Sequence, residues 1–214
     1  GEPSWRDYAA RHGYGLIVVD EPVDRSPRAE ARSVSWQKLL MAELPQAASF
    51  DRLIWVDADI FINAPAAPPI DAGLPPGKVG ICEDTEVPID PLFALARQRS
   101  AQRRIEAIAA MTGDTFDSNH YRFYGLPDPG VPLLNAGVFV ASTAEHAGLM
   151  RHVYDSYEDR GHKSYLYECV PFAYELVVRG LQHVLDPRFN VVYGRLETAM
   201  LARYHPDTPH SLRA

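Results

Sequence analysis

The chain has 214 residues, 46% of them hydrophobic and 23% charged, a composition typical of a folded globular protein rather than a disordered one. Its 21 lysines and arginines against 28 aspartates and glutamates give a formal net charge of −7, so a nucleic-acid partner gains no general electrostatic attraction. No stretch approaches the roughly 20 apolar residues of a membrane-spanning helix. The length favours a single domain over residues 1–214.

The first third of the chain alternates helical and strand-like patterns. SWRDYAARHGY has apolar residues at helical spacing and predicts a helix that stops at Gly13. GLIVVD predicts a short buried strand that ends at Asp20, and SVSWQKLLMAEL predicts a serine-capped helix that Pro45 stops. A strand (RLIWVD), a loop (APAAPPIDAGLPPG) and a further strand (KVGICED) follow.

The rest of the chain continues the alternation. Residues 90–112 are mostly helical in pattern, and the polar stretch 113–130 has no clear period and predicts a loop or lid. PLLNAGVFVAS predicts a strand interrupted at Asn135-Ala136-Gly137; two helices (TAEHAGLMRHVYDSYED and YECVPFAYELVVRG) and a short strand with a turn (HVLDPRFNVV) follow. This order predicts an α/β fold with a mostly parallel sheet flanked by helices.

The two cysteines favour a reducing compartment. Cys82 and Cys169 lie far apart and match no zinc-ligand spacing, so we interpret them as buried free thiols. The first residues lead directly into polar sequence, without the apolar core of a signal peptide. We therefore expect a cytoplasmic protein with no transmembrane segment.

Two aspartates, Asp57 and Asp59, end the apolar strand RLIWVD. Carboxylates are rarely buried unless they are paired or bound to a metal. In an extended chain, residues i and i+2 point the same way, so both carboxylates can face one hard cation such as Mg²⁺ or Mn²⁺. Ligands of open α/β sheets also gather at the carboxyl ends of strands. The plain alternative is a strand that runs into a polar loop.

Haloacid-dehalogenase-like phosphatases are an alternative for the same motif. They also carry Asp-x-Asp after an apolar strand, and its first aspartate is the nucleophile. Their motif usually lies near the N-terminus, whereas here it follows 56 residues and is followed by Ile60-Phe61. The Asp-Asp pair that these enzymes carry late in the chain is also missing from this sequence. The motif therefore fits this class poorly.

Taken together, VDADIF, SWQKLL and LLNAGVFVAS resemble nucleotide-sugar glycosyltransferases of the GT-A fold. The likeness is to the retaining branch, namely the glycogenin-like and lipopolysaccharide galactosyltransferase group and the α-galactosyl/xylosyltransferases, whose YA-x-x-HGY segment is similar to YAARHGY. It covers roughly residues 5–195. The resemblance implies a Rossmann-like GT-A fold and transfer of a sugar, with retention, from a nucleotide-diphosphate sugar. A UDP-sugar is the favoured donor, and the acceptor is a carbohydrate or another hydroxyl compound.

The resemblance also assigns a metal site and two catalytic candidates. Asp57 and Asp59 match the aspartates that hold Mn²⁺ or Mg²⁺ against the diphosphate. Lys38 matches a helix lysine near the donor, and without the resemblance it is equally well a solvated helix residue. Glu168 takes the place of an acidic residue near the reacting face of the sugar, although Cys169 follows it where the family often has glutamine. Without the resemblance, Glu168 is simply an acid in the first turn of a helix.

The donor-binding residues implied by the resemblance are Asn135, Ala136, Gly137 and Asp57. Asn135 matches the asparagine of an Asn-[Ser/Ala]-Gly motif that contacts the donor sugar, and Gly137 lets the backbone approach closely. An asparagine in an apolar strand also needs hydrogen-bond partners, so a structural role is equally compatible with the pattern.

The ends of the chain depart from the family pattern. We expect the chain to lack the family's first, base-gripping strand and the C-terminal segment whose histidine completes the metal site. His205 and His210 are interpreted as tail residues rather than ligands. A non-catalytic GT-A-like domain that binds a sugar or a nucleotide is therefore a further alternative, although the presence of both Asp57 and Asp59 argues against it.

Overall fold

The structure is a computed structural model, and it describes residues 1–84, 119–160 and 167–193. These residues form an α/β fold of four strands, five α-helices and three 3₁₀ helices. In chain order they are α1 (Glu2–His12), α2 (Pro27–Glu30), the 3₁₀ helices Val34–Glu43 and Pro45–Ser49, β1 (Arg52–Val56), β2 (Val79–Glu83), α3 (His120–Tyr124), β3 (Leu134–Ser142), α4 (Thr143–Ser156), α5 (Cys169–Val178), β4 (Gln182–Val184) and the 3₁₀ helix Pro187–Phe189.

The four strands form one mixed sheet in the order β1-β3-β2-β4. β3 is antiparallel to both of its neighbours, and only β2 and β4 are parallel. The predicted α/β class is confirmed, whereas the predicted mostly parallel arrangement is not found among the described strands. The difference has a simple cause, because an apolar run has the same hydrophobic pattern in either chain direction.

The sheet separates two apolar cores, and its strands contribute to both because successive side chains face opposite sides. On one face, Trp55 and Phe139 belong to the larger core, which α4, α5 and the first 3₁₀ helix cover. On the other face, Val138 and Val140 pack with residues of the segment between β1 and β2, such as Ile70. The candidate site lies on the larger-core side, at the carboxyl end of β1.

The predicted interruption of β3 at Asn135-Ala136-Gly137 is a shift of register within a continuous strand. Ile81 pairs with Phe139, but the next residue of β2, Cys82, pairs with Asn135. The pairing therefore advances by one residue along β2 and by four along β3, which leaves residues 136–138 of β3 between the two pairs. Such an irregularity turns side chains away from a regular ladder, and it lies next to the end of β1.

The segment GLIVVD, predicted as a buried strand, is not part of the sheet. Leu16, Val18 and Val19 are exposed at 38%, 45% and 38%. An apolar run becomes a strand only when a neighbouring strand accepts its backbone hydrogen bonds, and the four described strands pair with one another instead. The prediction of a strand at residues 15–20 is therefore wrong for the described part of the chain.

The predicted helix in SVSWQKLLMAEL is present, but it is a 3₁₀ helix. The Ser33 side chain accepts a hydrogen bond from the Ser35 amide at its start, as expected for a serine cap. The helix ends before Pro45, where a second 3₁₀ helix begins. The first 3₁₀ helix buries Trp36, Leu39 and, unusually for a charged residue, Lys38.

The other predicted helices agree with the structure within a few residues. α1 ends at Gly13, whose φ of 71° explains why glycine stands there, and α4 and α5 cover the two C-terminal patterns. Within the predicted 113–130 loop, α3 forms a short helix at His120–Tyr124. The predicted helix 90–112, residues 113–118 and both tail histidines, His205 and His210, lie outside the described residues.

None of the helices in the described ranges is long and apolar enough to cross a membrane.

Candidate functional site

Asp57 stands at the point where β1 ends. Its amide donates to the Gly137 carbonyl at 2.8 Å, which ties the residue to β3, and its side chain continues the face of β1 that Trp55 occupies. The Trp55 indole Nε1 donates to Asp57 Oδ1 at 2.6 Å. The Asp57 side chain is one-third exposed, so its carboxylate lies between the protein interior and the surface.

Lys38 reaches this carboxylate from the first 3₁₀ helix. Its Nζ lies 2.7 Å from Asp57 Oδ1 and 2.9 Å from Glu168 Oε1, and it donates to the Ala136 carbonyl at 3.2 Å. An ammonium has three hydrogens to donate, so these three partners use its full capacity. The Lys38 residue is only 3% exposed, which excludes the solvated-helix alternative.

Two carboxylates keep the Lys38 ammonium charged. Burial on its own would lower the lysine pKa, but the nearby negative charges of Glu168 and Asp57 outweigh it, and the pKa is raised above its ordinary value. Three side chains from segments distant in sequence thus form one buried charge cluster, with a formal net charge of −1. We call Lys38, Asp57 and Glu168 the charge cluster.

Glu168 precedes the first residue of α5, but its carboxylate caps no backbone amide of that helix. The side chain is 4% exposed and pairs with Lys38. The alternative of a first-turn acid stabilised only by the helix dipole is therefore insufficient, because a buried carboxylate requires the cation beside it. The next residue, Cys169, donates from Sγ to the Leu134 carbonyl and is a free thiol.

Asn135 lies beside the charge cluster with its amide oxygen fully used. That oxygen accepts from the Gly137 amide at 2.8 Å and from Asn190 Nδ2 at 2.9 Å, while Nδ2 of Asn135 donates to Asp84 Oδ1 at 2.8 Å. A carbonyl oxygen has two lone pairs and an amide nitrogen two hydrogens. The side chain can therefore offer a ligand only one further N–H.

Gly137 keeps this corner open. A Cβ at this position would lie 3.0 Å from Asn135 Oδ1 and 3.4 Å from both Asn190 Nδ2 and Asp57 Oδ2. A side chain would therefore crowd Asp57 Oδ2, the oxygen that accepts from Lys38 Nζ at 3.0 Å. The predicted reason for a glycine here, a close approach, is consistent with the geometry.

Asp59 is exposed and lies in a turn rather than in an extended strand. The turn is closed by the Ile60 amide, which donates to the Asp57 carbonyl at 3.1 Å. The i, i+2 alternation of an extended chain therefore does not apply to Asp57 and Asp59. Both still lie at the carboxyl end of β1, as the sequence predicted.

The carboxylates fit a hard divalent cation in their chemistry. Mg²⁺ is commonly bound through one or two carboxylates together with substrate phosphates, and Asp57 and Asp59 offer such oxygens at a partly open position. Oδ1 of Asp57 accepts from both Lys38 and Trp55, whereas Oδ2 accepts only from Lys38, at 3.0 Å, among the described residues and is therefore the more available oxygen. Among the described residues there is no group of three or more histidine, cysteine or acidic side chains that could hold a metal ion.

A cavity of about 300 Å³ lies on the opposite face of β1. It is lined mainly by apolar side chains of α1, β1 and the segment after β1, and includes Val56 and Val138 but no member of the charge cluster. Its lining belongs to the smaller-core side, so it is separate from the candidate site.

The structure brings together most of the residues proposed from the sequence, namely Lys38, Asp57, Asn135, Ala136, Gly137 and Glu168. It also adds Trp55, Asn190 and Asp84, which sequence reasoning missed. Trp55 lies in an apolar strand, and its polar indole nitrogen two residues before a carboxylate was the available signal. Asn190 follows a short turn and carries no local signal of its contact with Asn135.

The fold and the site define an α/β protein with a buried lysine held between two carboxylates where a strand ends. Comparisons of the chain with protein-family models, with curated proteins and with solved structures find no match in any of the three.

Proposed function

We propose that the protein is a metal-dependent glycosyltransferase. It would move a sugar from a nucleotide-diphosphate sugar, with a UDP-sugar favoured, to a carbohydrate or another hydroxyl acceptor, with retention of configuration. The fold behind this proposal is the GT-A fold that the sequence motifs resemble. The proposed location is the cytoplasm, which suits two free cysteines, Cys82 and Cys169.

The observation that carries the proposal is the convergence of motifs that are distant in sequence. Lys38 contacts both Asp57 and Glu168, although the three residues come from the first 3₁₀ helix, the end of β1 and the start of α5. Asn135 and Gly137 adjoin them through the backbone and side-chain contacts around Asp57. Motifs that match a family in order along a chain support a shared site more strongly when their side chains meet.

The proposed chemistry suits these residue types. A sugar leaving its diphosphate generates negative charge on the leaving group, and a divalent cation when bound supplies Lewis-acid stabilisation of that charge. Asp57 and Asp59 would hold the cation. The chain has a net charge of −7 and therefore no general positive field that would attract a diphosphate. A cation at this position would supply the positive charge that diphosphate binding requires.

Each remaining residue has a limited role that its contacts allow. Lys38 contributes positive charge near the diphosphate, acting through its field because its three hydrogens already have partners. Asn135 can donate one N–H to a hydroxyl of the sugar. Glu168 was predicted to lie near the reacting face of the sugar, and its burial beside Lys38 argues for an indirect role.

The test is calorimetric binding of UDP with Mn²⁺ and with a chelator. We expect binding to require Mn²⁺, and Asp59→Asn to weaken it by roughly tenfold or more, since even groups behind the metal ligands are worth 10- to 100-fold. Asp51→Asn, an exposed aspartate before the other end of β1, is the matched control and should bind as the wild type does. Equal affinity with and without chelator would contradict the proposal.

Hydrolysis or transfer of UDP-sugars separates the enzyme from a non-catalytic binding module. A panel of UDP-sugars with Mn²⁺ should yield UDP with at least one donor. The specific observation that favours the module is the buried Glu168, which leaves no exposed acid within the charge cluster except Asp57. Mn²⁺-dependent binding without any turnover across donors and acceptors would favour the module over the transferase.

A further inference from the structure

We propose that Glu168 is a positioning residue that acts through Lys38. It would remain paired with the Lys38 ammonium while Asp57 binds a divalent cation. The inference rests on the proposed function, because it concerns the same cation site. Glu168 would then not act on the sugar directly, but would determine how readily Asp57 leaves Lys38 to bind the cation.

The geometry that carries this inference is a single ammonium shared between two carboxylates. Lys38 Nζ lies 2.7 Å from Asp57 Oδ1 and 2.9 Å from Glu168 Oε1. The two partners differ in accessibility, since the Asp57 side chain is 33% exposed and that of Glu168 only 4%. Only Asp57 can therefore bind a cation that enters from solvent, whereas Glu168 can bind only its neighbour within the protein.

A cation that takes Asp57 competes with Lys38 for the same oxygens. If Asp57 were the sole counterion, that exchange would leave a buried ammonium without a carboxylate, which is strongly unfavourable. Glu168 and the Ala136 carbonyl remain with Lys38 during the exchange. Glu168 thus reduces the free-energy cost of moving Asp57 from Lys38 to the cation, and it raises the affinity of the site for the cation without touching the cation.

The surroundings of Glu168 agree with a role behind the site rather than on the substrate. The residue is 3% exposed, and Oε1 already accepts from Lys38. Its carboxylate caps no amide at the start of α5, so helix capping does not explain why an acid stands there. Its described ion pair is with Lys38.

The experiment measures Mn²⁺ affinity in the absence of nucleotide and sugar, by calorimetry or by the spin-resonance signal of free Mn²⁺. Glu168→Gln should weaken Mn²⁺ binding roughly tenfold, because Lys38 then holds Asp57 as its only carboxylate. Lys38→Met should strengthen binding. In the Lys38→Met background, adding Glu168→Gln should change the affinity by less than about twofold, since no ammonium remains to be held.

Glu168→Asp separates positioning from a simple effect of negative charge. It keeps the charge but shortens the side chain by one methylene, so the carboxylate no longer reaches Nζ at hydrogen-bond distance. We expect weakened Mn²⁺ binding, close to that of Glu168→Gln. Glu175→Gln is the matched control, because Glu175 is another buried carboxylate of α5 and pairs with Arg179 instead. It should leave the Mn²⁺ affinity unchanged.

The outcomes separate this inference from the proposed function. If both Glu168 variants bind Mn²⁺ with wild-type affinity, the inference is overturned. The proposed function would still stand in that case, provided that Mn²⁺ binding depends on Asp57. An equal loss from Glu168→Gln with and without Lys38 would also overturn the inference, since the effect would then be a long-range field. Failure of the wild type to bind Mn²⁺ with UDP would overturn the function and the inference together.

Discussion

Replacing Lys38 by methionine should destabilise the protein far more than replacing Lys38 and Glu168 together. Methionine keeps the length of the lysine stem, so the apolar packing of the first 3₁₀ helix is largely preserved. The single change leaves the Glu168 carboxylate, 3% exposed, without its cation. The double change Lys38→Met with Glu168→Gln removes both charges from that position.

The separation of the charges sets the size of the effect. At the Nζ–Oε1 distance of 2.9 Å, the Coulomb attraction is about 6 kcal/mol for an effective dielectric constant of about 20. Desolvation of the ammonium offsets part of this, and removing one partner of a buried pair typically costs about 3–5 kcal/mol.

We therefore expect Lys38→Met to lower the free energy of unfolding by about 3–4 kcal/mol at pH 7. Glu168→Gln should lower it by about 1–2 kcal/mol, because the ammonium keeps Asp57 and the Ala136 carbonyl. The double variant should lose only about 1–2 kcal/mol, well below the sum of the two single losses.

Urea denaturation of the four proteins at one pH measures this cycle. The transition is followed by tryptophan fluorescence. If the free energy of unfolding has the same slope against urea concentration in all four proteins, they expose the same amount of surface on unfolding. The expected coupling free energy between the two positions is about 2–5 kcal/mol. Additive losses, with a coupling below about 0.5 kcal/mol, would refute the idea that these two charges stabilise each other.

Two further predictions concern residues around and beyond the site. Gly137→Ala should lower the free energy of unfolding by about 1–2 kcal/mol, because its Cβ would lie 3.0 Å from Asn135 Oδ1. Gly148→Ala, in a helix with nothing within 4 Å of the new Cβ, should raise it by up to about 1 kcal/mol, and equal effects of both changes in urea denaturation would contradict the crowding. Burial raises the pKa of Glu175, but the Tyr157 hydroxyl and other donors outweigh burial and hold the pKa below its ordinary value. Its stabilising contribution is therefore present at neutral pH and lost as the pH falls through the lowered value, so the gap in Tm between wild type and Glu175→Gln should be largest at neutral pH and should shrink as the pH falls below the ordinary glutamate pKa of about 4.3. A gap that does not change with pH would disprove that assignment.

Local signals in the sequence were sufficient for most helices and strands. α1 ends at Gly13 because the chain needs a positive φ there, and Ser33 caps the first 3₁₀ helix with its own side chain. Such features depend on residues a few positions apart. Sequence patterns therefore locate them well, even where the type of helix differs from the expectation.

Strand direction and partnership depend on distant residues, and here the sequence was insufficient. β3 is antiparallel to β1 and β2, although nothing in its apolar pattern encodes that direction. The run at residues 15–20 has strand-forming residues but no place among the four described strands. A strand is a property of a pair of segments, so the pattern of one segment cannot establish it.

The charge cluster was less predictable from the sequence than the helices, but its members lie in recognisable segments. Lys38 and Glu168 are 130 positions apart, and each had a plain interpretation on its own, as a solvated lysine or as an acid at a helix start. Both occur, however, within strongly apolar segments, SWQKLLM and YECVPFAYEL, where a charge faces burial. Because a buried charge is stable only with an opposite charge beside it, two such segments carrying opposite charges are candidates for mutual pairing. The identity of the partner was not readable from either segment, and only the structure shows that Lys38, Glu168 and Asp57 meet at the end of β1.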